Sequence, residues 1–209
     1  MVIVLLVTAF AALALGAVRA TEFAWVAGGT GLALALWVIR LWIGEGHRFL
    51  LHPVVWAVLA FTGYAVWGYR HAPVEYPARL ELMRILVYAA FFVVALHNLH
   101  RQESLQWVTA ALAVVGAFVS LYAVIQLASG SDRVWFFDRP RNYLHRGGGT
   151  FINPNHLAGL LVVLLPLAAV QVFVGRTSAV IKVLYGYAAV AMLAGIGVSM
   201  SRGGWMAAA

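Results

Sequence analysis

Ser104 to Gly130 is a run of 27 residues without a formal charge. The hydrocarbon core of a bilayer takes about 20 apolar residues of α-helix to cross, so this run is long enough to span it with tilt. It belongs to a series. Val2–Val18, Phe23–Ile43, Pro53–Tyr69, Ile85–Leu99, Pro154–Gly175 and Ala179–Met200 are apolar segments separated by short polar turns. The series predicts an all-α, polytopic transmembrane bundle of about seven spans plus the start of an eighth, with 1–209 as a single membrane region. The first run lacks the basic flank of a signal peptide and is followed at once by a second, so it reads as a span.

Composition removes the soluble alternatives. Charged residues make up 10% of the chain, against roughly 25% in a soluble domain. With no soluble basic domain to hold it, nucleic acid is excluded as a partner. The absence of cysteine excludes disulfides and thiolate metal sites. Of the 14 cationic residues, 13 are arginine, the side chain that grips phosphate and diphosphate as a fork. No metal or cofactor is expected. His97 and His100 lie one helical turn apart but have no third ligand beside them.

One long polar passage interrupts the hydrocarbon, from Arg139 to His156 within an expected extracytoplasmic loop 131–155. It holds Arg139, Arg141, Arg146, the triplet Gly147-Gly148-Gly149 and then Thr150. Asn153-Pro154 follows as a helix-start signal, since Asn caps well and Pro suits the first helical position. Cations, a backbone free to turn its N–H groups inward and a helix N-terminus can together form an anion site. The same residues also suit an external loop whose arginines keep it in water. Asn153, Pro154 and Asn155 read chiefly as a cap that aims the helix. His145 and His156 are candidate proton carriers.

Counting crossings ties this loop to a distant stretch. Loops after the first, third, fifth and seventh segments must share one face, which makes the glycine triplet and Arg202 spatial neighbours. That face holds Arg19, Arg70, Arg79, Arg84, Arg133, Arg139, Arg141, Arg146 and Arg202, nine cations against five opposite. By the positive-inside rule it would be cytoplasmic. Arg202 also admits a local reading, as a cation complementing the end of the seventh helix with Gly203 as the residue after the cap.

The stretch Gly149-Thr150-Phe151-Ile152-Asn153-Pro154-Asn155 entering a hydrophobic helix, followed by Ser201-Arg202-Gly203, resembles the O-antigen ligase family of bacterial membrane glycosyltransferases. The resemblance is specific from about Arg139 to Trp205 and elsewhere is one of hydropathy alone. It implies about twelve membrane helices, a cytoplasmic amino terminus and a location in the bacterial inner membrane, with both motifs facing the periplasm, against the positive-inside count. There a glycan would pass from a polyprenyl-diphosphate carrier to a lipid, polysaccharide or protein acceptor, without metal. Arg202 matches the family arginine proposed to hold the diphosphate. Arg141, Arg146, Gly147, Gly148, Gly149, Thr150, Asn153, Asn155 and His156 complete the expected binding set. The family's essential histidine lies in a loop past this point, so the chain is expected to be an N-terminal half whose catalytic base lies beyond Ala209. A small-anion transporter and a non-catalytic envelope scaffold in contact with membrane lipids are the alternatives.

Overall fold

The computed structural model describes residues 1–43, 52–99 and 102–209. Among the described residues the regular structure is helical, apart from one two-stranded hairpin. In order come α1 (Val2–Leu13), α2 (Ala20–Ile43), α3 (Pro53–Arg70), α4 (Glu75–Asn98) and α5 (Gln102–Ala128). The hairpin strands β1 (Arg133–Val134) and β2 (Phe137–Asp138) precede α6 (Pro154–Phe173), α7 (Ala179–Ser199) and α8 (Arg202–Ala208). Five of these, α2, α4, α5, α6 and α7, are long and apolar enough to cross a membrane, the make-up of a multi-pass membrane protein.

The first and third expected spans fall outside those five. Instead of 17 residues, α1 has 12, or about 18 Å at 1.5 Å per residue. It ends where Leu15, Gly16 and Ala17 all take positive φ. A Cβ on Gly16 would lie 2.6 Å from the Phe151 ring, so the break accommodates a contact made by the distant polar passage. The third segment forms α3 as expected, with His52 as its cap and Pro53 in its first turn.

The fourth segment is longer than its apolar run. Arg79, Glu81 and Arg84 were expected in a loop before Ile85 but lie within α4, which starts at Glu75. Pro77 is tolerated because the first-turn N–H groups of a helix have no partner inside it. Arg84 and Glu81 pair at 2.6 Å on the helix surface. Most of the expected turn over Gly44–His52 lies outside the described residues, as do His100 and Arg101. Gln102 and Glu103 already belong to α5.

The chain divides into two compact units, Met1–Val7 with Ala24–Leu105, and Thr8–Phe23 with Gln106–Ala209. The first has a thin core of Val4, Ala33 and Val94, edged by Trp37 and Phe91. Around it apolar side chains face outward, among them Trp42 and Trp56, as lipid-facing helices require.

The second unit holds the larger core, built from α5, α6, α7 and Phe151. Small residues bring its helices close, since the alternative to packing in lipid is another apolar neighbour. A Cβ on Gly116 would lie 2.8 Å from Met192 and 3.2 Å from Leu164. One on Gly195 would lie 2.7 Å from the Ser120 hydroxyl and 2.8 Å from Leu161. These contacts set the level of each helix against the next: Gly116 of α5 beside Leu164 of α6, and Gly195 of α7 beside Ser120 of α5 and Leu161 of α6.

Candidate functional site

The polar passage does not stand clear of the helices. Its glycines fold back alongside α5, against Ala123 and Val119, five and nine residues inside the helix end at Ala128. A Cβ on Gly149, whose φ is +57°, would lie 2.7 Å from the Val119 carbonyl. On Gly147 it would lie 2.9 Å from the Ala123 carbonyl and 2.6 Å from Val198, and on Gly148 2.7 Å from the Phe151 carbonyl. No side chain fits at any of the three positions.

Backbone buried at helix level must find its hydrogen bonds within the protein. Gln126, buried near the end of α5, supplies most of them. Its Oε1 accepts the N–H of Gly148 at 3.1 Å and of Gly149 at 2.9 Å. Its Nε2 donates to the carbonyls of Gly149 at 3.0 Å and Arg133 at 2.8 Å. The Gly147 N–H goes to the Val198 carbonyl at 2.8 Å. Thr150, fully buried, donates its hydroxyl to the Ala12 carbonyl at 2.6 Å. This corrects the expectation that the amides of Gly147, Gly148 and Gly149 turn toward an anion: all three are engaged by the chain itself.

The arginines divide into struts and exposed cations. Arg139 is buried, donates to the carbonyls of Arg146 and Ser131, and lies 3.5 Å from the Asp132 carboxylate. Burial lowers its pKa from the ordinary arginine value, while Asp132 and Tyr122 act to raise it. Arg146 reaches across the junction. Its Nε donates to the Ser199 carbonyl at 2.8 Å, and its Nη2 to Asn155 Oδ1 at 2.8 Å and the Met200 carbonyl at 3.3 Å. One guanidinium thus joins the loop, the first turn of α6 and the end of α7. A cation at a helix C-terminus is also favoured by the helix dipole.

That is the role the sequence allowed for Arg202. The helix instead ends at Met200, the left-handed residue with φ +51°, and not through Gly203. Ser201 caps the next helix by accepting the Gly204 N–H at 3.3 Å, and Arg202 is the exposed first residue of α8. A Cβ on Gly204 would lie 2.7 Å from Ala158, so α8 folds back against α6.

Asn153 caps α6, its Oδ1 accepting the Asn155 N–H at 2.9 Å. The His156 N–H bonds to the Asn153 carbonyl at 3.0 Å, so the first turn of α6 is satisfied internally. The side chain of Asn155 holds Arg146, while His156 is exposed. Arg141 is exposed in a 3-10 turn, Arg141–Tyr143, and His145 is exposed with φ +58°. Among the described residues, neither Arg141 nor Arg202 has a carboxylate within 4.0 Å. No group of three His, Asp or Glu side chains among those residues is arranged to hold a metal ion.

The structure therefore joins the loop to residues 198–200 and stands Arg202 two residues further on, while Thr150 and the glycines are internal. Gln126 escaped the sequence reading because an uncharged amide does not interrupt a charge-free run. Its signal was a strongly polar side chain two residues before the end of α5, after the apolar stretch Leu121–Ile125. Comparison of the chain with models of known families, with curated proteins and with solved structures finds no match.

Proposed function

We propose that the junction of the glycine loop with the ends of α6, α7 and α8 holds a polyprenyl-diphosphate-linked glycan, as the donor site of an O-antigen ligase-type membrane glycosyltransferase. One observation carries this reading. Arg146 binds together the two stretches that resemble that family, reaching from the loop to the carbonyls of Ser199 and Met200. Holding those strands in one piece fixes where Arg202 emerges.

The diphosphate would be gripped by side chains, since the glycine amides are engaged. Exposed Arg202 and Arg141 are the donors left open, with His156 nearby in sequence to Asn155 at the same helix end. An arginine fork makes charge-assisted bonds to phosphate oxygens and stabilises a leaving diphosphate without metal. An apolar groove of about 800 Å³ runs between α5 and α7, lined by Ala117, Leu121, Val124, Leu184 and Ala194 among others. Its walls suit an isoprenoid tail. In this reading seven segments cross the bacterial inner membrane, the first by α1 and the turns after it. The loop faces the periplasm, where a lipid, polysaccharide or protein hydroxyl is the acceptor.

Binding of undecaprenyl diphosphate to the purified chain in nanodiscs tests the proposal. Hydrogen bonds to charged groups are worth roughly 1.5–3 kcal/mol, so Arg202→Ala weakens binding by about ten- to a hundredfold. Arg202→Lys recovers part of the loss, keeping the charge without the fork. Arg176→Ala, in the turn between α6 and α7, leaves affinity unchanged. Equal affinity in all three variants overturns the assignment.

A further inference from the structure

The tip of the β1–β2 hairpin presents three consecutive aromatic rings outward. Phe136 is 94% exposed, and Trp135 and Phe137 are each 42% exposed. Strand pairing matches Arg133 with Asp138 and Val134 with Phe137, which leaves Trp135 and Phe136 as a two-residue turn. Trp135 takes φ +53°, a conformation costly for a bulky side chain and usual for glycine at such a turn. Two hydrogen bonds hold it there. Its backbone N–H donates to the Tyr122 hydroxyl at 3.1 Å, and its indole N–H to the Leu13 carbonyl at 2.9 Å.

These contacts lay the hairpin down along α5. Tyr122 stacks on Trp135 with ring centres 5.3 Å apart. Tyr122 lies six residues before Ala128, the end of α5, or about 9 Å inside it. Its neighbours one helical turn away, Phe118 and Ile125, are exposed, as is Leu121 beside it. The aromatic tip is therefore continuous with the outward apolar face of a helix long enough to span a bilayer.

The polar groups are placed for the same boundary. Arg133 and Asp138 pair at 2.8 Å on the exposed strand faces, and the Arg19 guanidinium lies 4.6 Å over the Phe137 ring. Arg141 is exposed after the second strand. Aromatic rings with cations on one side are the pattern of the lipid–water interface, where the ring enters the acyl region and the cation meets headgroups.

We infer that the Trp135-Phe136-Phe137 tip is an interfacial membrane anchor, dipping beneath the headgroups of the bilayer that surrounds α5 and fixing the depth of the loop that follows. The occupant is phospholipid. The inference rests on the membrane-spanning helices and is independent of any glycan chemistry.

The chain has no cysteine, so one label reports one site. Phe136→Cys carries an environment-sensitive fluorophore in vesicles of phosphatidylcholine and phosphatidylglycerol. Asn142→Cys, exposed in the same loop but off the hairpin, serves as the aqueous control. The anchor predicts that a lipid spin-labelled near its carbonyl quenches the probe at position 136 several-fold more than aqueous iodide does, with the order reversed at position 142. Quenching of position 136 mainly by iodide overturns the inference. Protection of position 136 from both quenchers also overturns it, because a second copy or another protein then covers the tip.

Discussion

Gln126 and Gly149 are bound to each other twice: the side-chain Oε1 accepts the glycine N–H at 2.9 Å, and the side-chain Nε2 donates to the glycine carbonyl at 3.0 Å. The side-chain amide does for the loop what a neighbouring strand does in a sheet. Removing it leaves buried donors with no water to turn to. Gln126→Leu should lower stability by about 2–3 kcal/mol, because each buried polar group left unpaired costs about 1–3 kcal/mol. Unfolding in mixed micelles by titrated dodecyl sulfate, followed by circular dichroism, would measure it. A Leu variant as stable as the parent would show that the loop bonds to something else.

The glycines make a steric prediction. Gly149→Ala combines a positive φ with a Cβ 2.7 Å from the Val119 carbonyl, a backbone atom that cannot swing aside. Overpacking of this kind costs about 1–3 kcal/mol. Gly159→Ala meets nothing within 4 Å on α6 and should gain up to about 1 kcal/mol from helix propensity. If both changes have the same effect in the same unfolding assay, the loop does not lie against α5.

Arg146 and Arg202 should separate stability from binding. Arg146→Ala removes bonds to Ser199, Met200 and Asn155, so both the unfolding midpoint and diphosphate affinity should fall. Arg202 is exposed and makes no carboxylate pair among the described residues, so Arg202→Ala should lower affinity alone. An unfolding midpoint unmoved by Arg146→Ala would deny its role as the tie between loop and helix ends.

Asn153 offers a test of capping. Its Oδ1 accepts the Asn155 N–H, and replacing such a cap by Ala costs about 0.5–2 kcal/mol. Asn153→Asp and Asn153→Ser retain an acceptor and should behave like the parent in thermal melts and in diphosphate binding. Equal loss of binding with all three substitutes, at unchanged stability, would instead mean that the amide touches ligand.

Topology is testable with the same cysteine-free background. Asn142→Cys and Ser178→Cys lie in the loops at opposite ends of α6, a helix long enough to cross the membrane. The proposed orientation has position 142 labelling from the periplasm and position 178 only after the inner membrane is opened. The reverse pattern would vindicate the positive-inside count over the family resemblance.

The sequence by itself determined the helices and several of their ends. Apolar runs such as Ser104–Gly130 and Ala179–Met200 match α5 and α7 within two residues, because helix in lipid follows from local composition and backbone satisfaction. Asn153-Pro154 marked the start of α6 for an equally local reason. Its resolution failed where charge patterning stood in for helix propensity, as at Arg79, Glu81 and Arg84 in the first turns of α4. Only the tertiary structure decided how the polar passage is used. In the sequence, three glycines and three arginines read as an open anion cradle or as a solvated external loop; in the structure the glycines form a buried plug. That outcome depends on Val119 and Ala123 of α5, Val198 of α7 and the side chain of Gln126 meeting them, contacts between residues 22 to 51 positions apart. Gly147 sits between Ala123 of α5 and Val198 of α7, and small residues at Gly116 and Gly195 let those helices pack closely from far along the chain.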